Sequence, residues 1–495
     1  MEAPSFALRG TVSSEEIRPR QWQQQLIQLL RRRLDPLKPN ERDVLVFAGP
    51  GAGKTLGALL AFRSMVREQR LQRFLVFCHR TSIAVQWQRA AERLNLHLRD
   101  WPDNNPPNNS PPNNSHAAFN ADGLLITYQA ARRHRDQLLA ELQQWDQATC
   151  LAIADEAHHL GVDPEDPDAA AWGHTFLDLT ASCRLRLGLT GTPFRADNLA
   201  FCAARRVRVF RHGEAAEEIV PDLCVEPHEL IAAGDVRPLE FRFQDGWVEH
   251  SREGQPDRDV SPLSMEQRES WRSRNLRRAI RLADSSSIGQ QVLIKAQRKL
   301  MAIRKDHAKA AGLVIARDID HAAAISRLLR EDGNSVDLVH SQDKDASQRL
   351  HAFQNGSADW LVSIDMCSEG FDAPRLRVVA YLTTVVTRSR FVQGITRAVR
   401  MTPDLAAKEP IPRHASYVFA PADPLLMGYA RGWSRAEPYV IRPQAGSDID
   451  DAETQQQWAT MSLPLEAVED GAGAVIRLKT PELPSFLQRR QHLLS

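Results

Sequence analysis

The stretch 43-DVLVFAGPGAGKT-55 decides the fold of this 495-residue chain. It opens with residues 43–48, an apolar run rich in β-branched and aromatic side chains, which predicts a buried β-strand. A glycine-rich loop follows at once, and then a helical pattern of apolar residues over 56–67. Strand, loop and helix in this order predict a phosphate-binding loop, because the loop N–H groups and the positive end of the helix both attract phosphate oxygens.

Each residue type in this loop suits phosphate binding. Glycines let the backbone turn tightly and aim its N–H groups at phosphate oxygens. Lys54 would reach the β- and γ-phosphates, and the Thr55 hydroxyl would bind Mg²⁺. Ala48 stands where the general pattern has its first glycine. The loop residues predicted to bind the nucleotide beside Lys54 and Thr55 are Gly49, Gly51, Ala52 and Gly53.

A pair of acids, Asp155 and Glu156, ends a second apolar run at 150–154. Carboxylates at the end of a buried strand suit nucleotide hydrolysis, with Asp155 holding the metal and Glu156 polarising the attacking water. An isolated acid pair is more often a solvated loop, but its place in the same chain as Lys54 favours the catalytic interpretation. His158 and its neighbour do not predict a zinc site, because no Cys or third His lies at ligand spacing.

Strand-like runs alternate with amphipathic helical stretches, which is typical of an α/β domain with a mostly parallel sheet. In the first half the further strands are predicted at 74–78, 123–127 and 186–189, with helices at 83–94 and 130–145. A second α/β pattern has strands predicted at 311–316, 336–340, 360–364 and 376–382, with a helix at 321–331.

Other stretches carry weaker patterns. Residues 102–116 repeat Pro-Pro-Asn-Asn-Ser, which predicts a disordered surface insertion. Residues 247–262, rich in Gly, Pro, Ser and mixed charges, are expected to have little regular structure, and 221–241 is expected to complete the first sheet. Beyond Asp423 the chain is less periodic, and 448–470 carries seven acids and no basic residue, which favours a solvated segment.

Composition bounds the class of protein. Hydrophobic residues make up 42% and charged residues 25%, as in ordinary soluble domains, and 25 Gly with 29 Pro exclude collagen-like and wholly disordered chains. None of the six cysteines forms a C-x-x-C pair, so neither a zinc knuckle nor a disulfide framework is indicated. The lack of a signal peptide and of a long apolar run predicts a cytoplasmic protein with no membrane partner.

The net charge of +1 hides an uneven distribution. Residues 268–309 carry twelve Lys and Arg against three acids, and this region either follows nucleic-acid phosphates or is a solvated helix face. Trp22, Trp87 and Trp360 could stack on bases, although core packing is the commoner role of a single Trp at such positions.

Taken together, these motifs resemble those of superfamily 2 helicases and translocases of the DEAD/DEAH type, including the helicase parts of type I and type III restriction enzymes. The phosphate loop from Ala48 to Thr55 has that superfamily's form, and 155-DEAH-158 is the DEAH box as written. The sequence 189-LTGTP-193, with Arg195 after it, resembles motif III, which couples the ATP site to the bound strand.

The resemblance extends to the adenine and nucleic-acid motifs of the first half. In 18-RPRQ-21 it implies nucleotide contacts from Arg18 and Gln21. The segment 79–87 is similar to motif Ia and 127-TYQ-129 to the following motif. These two motifs imply nucleic-acid contacts from Arg80, Thr81, Thr127 and Gln129.

The second half is similar to motifs IV, V and VI. Motif IV implies a backbone contact from Arg317, and 366-MCSEGFD-372 implies a nucleic-acid contact from Ser368 with nucleotide contacts from Gly370 and Asp372. In 393-QGITRAVR-400 the resemblance implies a nucleotide contact from Gln393 and two arginine fingers on the γ-phosphate, Arg397 and Arg400. The chain departs from the pattern at Thr396, where glycine is usual, and at 367–369.

What the resemblance implies is an α/β fold of two tandem RecA-like P-loop NTPase domains, with parallel central sheets and helices on both faces. ATP and Mg²⁺ would lie in the cleft between them, and the partner would be a nucleic acid, DNA more than RNA, with restriction, defence or repair proteins as possible partners. The predicted divisions are a tail (1–17), domain 1 (18–245), a basic linker (246–305), domain 2 (306–425) and an extension (426–495).

Three other functions stay open at this point. One is a translocase on double-stranded DNA that never separates the strands. Another is an RNA helicase. The third is a nucleotide-switched scaffold subunit, against which the intact Glu156 and the two finger arginines count.

Overall fold

A computed structural model describes most of the chain between residues 17 and 478. The residues inside that range that it does not describe are 36–40, 80, 102–120, 162–170, 192–200, 212–213, 252–257, 266–268, 283–286, 341, 344, 365–370, 372, 434–438, 442–465 and 471–472. The predicted insertion at 102–116 therefore lies outside the described residues. Among those described, no helix combines the length and the apolar character that crossing a membrane requires.

The strands carry most of the architecture. In chain order they are β1 Asp43–Ala48, β2 Arg73–Cys78, β3 Leu98–Asp100, β4 Gly123–Thr127, β5 Cys150–Asp155, β6 Leu185–Thr190, β7 Arg206–Arg211, β8 Glu214–Ile219, β9 Leu223–Val225, β10 Leu239–Gln244, β11 Trp247–Ser251, β12 Arg258–Pro262, β13 Ala311–Ala316, β14 Val336–Val339, β15 Trp360–Ser363, β16 Leu376–Leu382, β17 Ser416–Pro421, β18 Tyr439–Ile441, β19 Glu466–Asp470 and β20 Gly473–Leu478.

The helices lie between these strands. They are α1 Gln21–Arg33, α2 Lys54–Arg67, α3 Thr81–Glu92, α4 Tyr128–Arg133, α5 Arg135–Leu142, α6 Ala171–Leu179, α7 Pro227–Ala232, α8 Glu269–Ala279, α9 Ile288–Arg304, α10 Ile319–Glu331, α11 Ala346–Asn355, α12 Arg388–Ile395, α13 Pro403–Lys408 and α14 Pro424–Gly432. The predicted helix at 130–145 is divided into α4 and α5 at His134.

The first sheet has the strand order β3-β4-β2-β5-β6-β1-β9, and its described pairings are parallel. Successive side chains of a strand point to opposite faces, so each face of this sheet has its own core. Val44 and Val46 of β1 belong to the core that α1, α2 and α3 cover, while Leu45 belongs to the core under α4, α5 and α6. Helices on both faces explain why the strands are continuous apolar runs.

The second sheet has the order β14-β15-β13-β16-β17-β10-β20-β19. Its pairings are parallel from β14 to β10, and β20 and β19 are added antiparallel at one edge. Leu313 and Ile315 pack in the same continuous core as Val46 of the first sheet, whereas Val314 packs under α8, α9 and α10 on the other face. An apolar core therefore joins the two sheets.

The structure corrects the prediction that 221–241 completes the first sheet. The prediction is right for β9, which pairs with β1 of the first sheet. It is wrong for β10, which pairs with β17 of the second sheet. The chain therefore enters the second sheet before the residue 245 at which the first domain was predicted to end. Pairing between strands 177 residues apart decides this placement, and no local pattern reports it.

One further expectation about a weakly patterned segment was wrong, and two other such segments also contain regular structure. Residues 247–262 contain an antiparallel hairpin, β11 with β12, because their backbones pair although their composition is loop-like. Within the acidic segment 448–470, β19 pairs with β20, and β20 pairs in turn with β10. Beyond Asp423 the chain forms α14, and Asp423 accepts hydrogen bonds from the first N–H groups of that helix.

The basic region 268–309 forms α8 and α9, whose apolar residues pack on the second sheet. One of its arginines is structural: Arg272 is 5% exposed and lies 3.2 Å from a carboxylate oxygen of Asp423, which is fully buried. Other basic side chains of these helices are exposed, including Arg274, Arg277 and Arg278. The region is thus partly core and partly a basic surface.

Candidate nucleotide-binding site

The loop after β1 needs glycine at two positions. Gly51 has φ +80° and Gly53 has φ +79°, both in the left-handed region that favours glycine. A Cβ atom at Gly51 would lie 2.8 Å from Cγ1 of Val236. The loop backbone is therefore fixed both by its own turn and by contact with a segment that leads into the second sheet.

Side chains of α1 and its N-terminal flank hold the loop from the opposite side. Nη1 of Arg20 donates to the carbonyl oxygens of Gly51 (2.8 Å) and Ala52 (2.9 Å). The indole Nε1 of Trp22 donates to the Ala52 carbonyl as well, at 3.0 Å. These hydrogen bonds fix the orientation of the two loop carbonyls. Within the loop, the N–H of Gly49 donates to the Val225 carbonyl and the N–H of Ala52 donates to the Gly49 carbonyl, each at 3.2 Å.

A third donor is Gln23, which is 1% exposed and donates through Nε2 to the Gly53 carbonyl at 3.1 Å. The sequence had assigned nucleotide contacts to Arg18 and Gln21 instead, and both side chains are exposed. Those two contacts stay predictions. Their neighbours Arg20 and Gln23 contact the loop instead. Buried and exposed positions recur along α1 with the helical period, and this pattern distinguishes the buried Gln23 from the exposed Gln21.

Lys54 lies where the loop meets α2. Its Nζ donates to the Ala48 carbonyl at 3.3 Å and lies 3.8 Å from Oε1 of Glu156. Its side chain is 14% exposed, so the ammonium group sits in a partly desolvated position between the loop and the acid pair. The roles predicted for Lys54 and Glu156 require these two groups to be close together, and the structure places them so.

Asp155 ends β5 and is held by three contacts. Its Oδ2 accepts a hydrogen bond from Nε1 of Trp87 at 2.7 Å, and its Oδ1 accepts the N–H of Glu156 at 3.0 Å. The hydroxyl of Tyr128 donates to the Asp155 carbonyl at 2.5 Å. Burial and the neighbouring Glu156 charge raise the pKa of Asp155 to about 6.

Glu156 differs from Asp155 in backbone and in electrostatics. Its φ is +48°, a left-handed conformation that a non-glycine residue adopts only under constraint. Burial alone would raise the pKa of its carboxyl, but Lys54, His158 and Arg397 together hold that pKa below its usual value. Two adjacent carboxyls whose pKa values are pushed apart are typical of a site that divides its acids between roles.

His158 connects the acid pair to the end of β6. Its Nδ1 lies 3.4 Å from Oε2 of Glu156 and 3.1 Å from Oγ1 of Thr190. Thr190 belongs to the segment that resembles motif III. Thr192, Pro193 and Arg195 lie outside the described residues.

The second sheet brings arginines to the same site. Arg397 is 6% exposed, donates through Nη1 to the Phe371 carbonyl at 2.6 Å and acts on the charge of Glu156. A Cβ atom at Gly51 would lie 3.4 Å from Cγ2 of Val399 and 3.8 Å from Cγ of Arg400. Arg397 therefore lies close to Glu156, and Arg400 lies beside the loop.

Thr396, the departure from the usual glycine, is accommodated without cost to the arginines. It is 3% exposed, and its hydroxyl donates to the Val392 carbonyl at 2.7 Å, back into α12. Gln393, predicted to contact the nucleotide, is half-buried on the same helix. The substituted side chain points its polar atom into its own helix rather than into the cleft.

The predicted nucleic-acid residues divide into described and undescribed ones. Thr127 is 4% exposed, and its Oγ1 accepts the Ala130 N–H at 3.2 Å as the N-cap of α4, while Gln129 is half-buried. Nε of Arg317 donates to Asp318 at 2.5 Å. Those outside the described residues are Arg80, Ser368 and the side chain of Thr81. Gly370 and Asp372, which were predicted to contact the nucleotide, also lie outside the described residues.

The three tryptophans considered for base stacking are buried, which confirms the core interpretation. Trp22 is 4% exposed, and Trp87 and Trp360 are fully buried. Two of them also hold the site, since Trp22 donates to the loop and Trp87 to Asp155. Sequence reasoning missed this second role because an indole N–H leaves no pattern in a single sequence.

Two family models match the chain in the order of its sheets. The family described as "Type III restriction enzyme, res subunit" matches residues 16–195, and "Helicase conserved C-terminal domain" matches 292–402. The first match contains the loop and the acid pair, and the second contains α12 and the arginines. The two matches therefore cover both halves of the candidate site.

Relatives agree with these matches. An uncharacterized protein of Mycobacterium tuberculosis is 30% identical over 419 residues, which are 83% of this chain and 63% of that protein. An uncharacterized protein of Mycobacterium leprae is 31% identical over 414 residues, 82% of this chain and 63% of that protein. This chain thus spans less than two thirds of the length of the curated relatives it matches.

Solved structures share the fold. A fragment assigned to the HsdR subunit of a type I restriction enzyme from Vibrio vulnificus has a TM-score of 0.52 at 16% identity, covering 85% of this chain and 67% of that one. The Mycobacterium smegmatis helicase Lhr, bound to single-stranded DNA and AMP-PNP, has a TM-score of 0.50 at 16% identity, covering 86% of this chain and 49% of that one. The two sheets are therefore those of two tandem RecA-like domains, and the chain belongs to the superfamily 2 helicases, related to the helicase parts of type I and type III restriction enzymes.

Proposed function

We propose that the chain hydrolyses ATP between its two sheets and uses the hydrolysis to move on or unwind a nucleic acid, DNA in preference to RNA. One observation carries the proposal: Lys54 and Glu156 of the first sheet lie together with Arg397 of the second, close enough for both cations to lower the pKa of the Glu156 carboxyl. Acid, loop lysine and trans-domain arginine are the groups that phosphoryl transfer requires in one place.

The residues would divide the chemistry as follows. Lys54 neutralises charge on the β- and γ-phosphates, and Glu156, held ionised by its cationic neighbours, orients and polarises the attacking water. Arg397 and Arg400 stabilise the charge that develops on the γ-phosphate as its bond breaks.

The expected metal ion is Mg²⁺, and the residues present fit it. Thr55 lies in the first turn of α2 beside the loop and Asp155 ends β5, so the site offers a hydroxyl and a carboxylate, the oxygen ligands that Mg²⁺ prefers. When bound, the ion would neutralise phosphate charge. Burial raises the pKa of Asp155 in the protein without metal, so metal binding and ionisation of this carboxyl are expected to occur together.

Coupling to movement would use the contact between the loop and the second sheet. The loop packs on Val236 and Val399, and the N–H of Arg237 donates to the Val399 carbonyl at 2.8 Å. A change at the γ-phosphate therefore shifts the second sheet relative to the first, and with it any strand held across both.

DNA is favoured as the partner for two reasons. The families that match are restriction-enzyme and helicase families, and a structural neighbour was solved with single-stranded DNA. In addition, α8 exposes Arg274, Arg277 and Arg278 on the second domain, a basic surface that suits phosphates.

The test is ATPase turnover with single-stranded DNA, duplex DNA and RNA, each at several salt concentrations. We expect stimulation by DNA that weakens with salt, and loss of about a hundredfold or more of the stimulated rate in Glu156→Gln. The exposed acid Glu331 on α10 offers a matched control, since Glu331→Gln changes the same group away from the site. Lack of stimulation by any nucleic acid would contradict the proposal and favour a nucleotide-switched scaffold.

Strand separation and duplex translocation need a second comparison. A forked-duplex assay reports unwinding, and displacement of a triplex-forming strand reports movement along intact duplex. Displacement of the triplex without unwinding of the fork would assign the chain to duplex translocation, as in restriction complexes.

A further inference from the structure

Three side chains with metal-binding atoms lie near the amino ends of two inner strands of the second sheet, outside the nucleotide site. His307 precedes β13, Glu409 follows α13 and His414 precedes β17. One ligand atom from each lies within 4.8 Å of the others. The cluster joins two chain segments about 100 residues apart.

Glu409 is the observation that points to a ligand. It is 8% exposed, and its Oε1 accepts both Nη1 of Arg237 and the N–H of His414, each at 2.6 Å. Its Oε2 is buried and has no hydrogen-bond partner among the described residues. A buried carboxylate oxygen without a partner is costly, and a cation is the partner that would satisfy it.

We propose that His307, Glu409 and His414 bind a divalent transition-metal ion of the Zn²⁺ class. Two imidazole nitrogens and a carboxylate oxygen are ligands that Zn²⁺ takes in proteins, and three protein ligands leave one position for water. The side chain of His414 is 64% exposed, which gives the ion a route from solvent. The hydrogen bond from Arg237 to Oε1 of Glu409 orients the carboxylate, as groups hydrogen-bonded to metal ligands commonly do.

Two arginines oppose the ion and set its expected affinity. Arg237 is 1% exposed, and Arg377, 4% exposed, donates through Nη2 to the Ala415 carbonyl at 3.0 Å. Both act electrostatically on His307. Because Glu409 neutralises only one of these charges, the site is expected to bind more weakly than a four-ligand structural zinc site.

The ion would stiffen the segment between the sheets. Nε of Arg413, next to His414, donates to the Gly234 carbonyl at 3.0 Å, and Arg237 bonds both Glu409 and the backbone at Val399. Fixing the loop 409–414 to His307 therefore restrains residues 234–237, which contact the phosphate loop through Val236. The metal is assigned a structural and not a catalytic part.

The test is titration of the full chain, stripped with a chelator, with Co²⁺ as a spectroscopic probe and Zn²⁺ as competitor. We expect one Co²⁺ per chain with the visible absorption of a low-coordinate site, displaced by Zn²⁺, and a higher Tm with Zn²⁺. His414→Ala, which changes an exposed side chain, should weaken binding more than tenfold and abolish the Tm increase. His351→Ala, an exposed histidine on α11, is the matched control and should bind as the wild type does.

Two results would overturn the proposal. One is the absence of a Co²⁺ band in the wild type. The other is equal binding by His414→Ala, His307→Ala and His351→Ala, which would place the metal elsewhere among the 16 histidines. Neither outcome depends on ATPase activity.

Discussion

Replacing Trp87 with Phe should move the pH at which the ATPase loses activity. Nε1 of Trp87 donates to Oδ2 of Asp155 at 2.7 Å, and both residues are buried. This bond favours the ionised carboxylate, so it lowers the pKa of Asp155, which burial and Glu156 otherwise raise to about 6. In Trp87→Phe the bond is lost and the pKa of Asp155 rises further.

The size of the effect follows from the strength of the bond. A hydrogen bond to a charged group contributes about 1.5–3 kcal/mol, and one pKa unit corresponds to about 1.4 kcal/mol, so the shift should be about one to two units. Asp155 must be ionised to hold the metal, so activity is present above its pKa and is lost as the pH falls through it. Relative to the wild type, Trp87→Phe should therefore lose more activity as the pH falls through neutral towards acid, and it should recover towards alkaline pH.

The assay is the pH profile of kcat/KM for DNA-stimulated ATP hydrolysis, which reports ionisations of the free enzyme. Trp360→Phe is the matched control, because Trp360 is fully buried and its Nε1 has no hydrogen-bond partner among the described residues. Both variants lose the same volume, but only Trp87→Phe loses a bond to a carboxylate. An equal acid limb in the two variants would refute the assignment of Trp87 to Asp155.

Three further predictions concern the loop and the buried charges. Gly333→Ala places a side chain at φ +80° in open space and should cost about 1–2 kcal/mol in urea unfolding, and Gly51→Ala, with the same φ and a Cβ 2.8 Å from Val236, should cost more. Only Gly51→Ala adds a clash at the nucleotide site, so only it should lose ATPase activity, and equal activity would contradict the loop contact. Arg20→Ala removes the donor to two loop carbonyls and should raise KM for ATP about tenfold, whereas an unchanged KM would mean that the loop keeps its shape unaided. Arg272→Ala leaves the fully buried Asp423 without its cation and should lower the free energy of unfolding by about 3–5 kcal/mol, and a loss below about 1 kcal/mol would show that solvent reaches the pair.

Much of the sheet architecture was readable because parallel strands buried on both faces are uninterrupted apolar runs. The predicted bounds 43–48, 123–127, 311–316 and 376–382 are those of β1, β4, β13 and β16. The loop and the acid pair follow such runs directly, so predicting the strands β1 and β5 also predicted the positions of the loop and the acid pair at their ends.

The side chains that hold the phosphate loop in place could not be predicted in this way. Arg20 and Gln23 act on loop residues about thirty positions away, and the resemblance directed attention to Arg18 and Gln21 instead. A helical reading of α1 would have helped, since Trp22 and Leu26 mark its buried face one turn apart. Gln21 lies outside that face.

Long-range pairing explains the remaining differences. The hairpin β11–β12 has the composition of a loop, yet five backbone pairs connect its strands. Glu409 and His414 are separated by four residues of no special pattern, and His307 lies far from both in sequence. His307 and His414 are brought together because each lies just before a strand of the second sheet, β13 and β17.

The entry of β10 into the second sheet has a consequence for how the chain can be divided. A polypeptide cut between β12 and α8 would leave its N-terminal piece carrying a strand whose parallel neighbour, β17, belongs to the C-terminal piece. Such fragments should recognise one another and reassemble, because each exposes an apolar edge that the other completes. Expressed alone, a first RecA-like unit should therefore stop before Leu239, and the remainder should retain this strand as its own N-terminus.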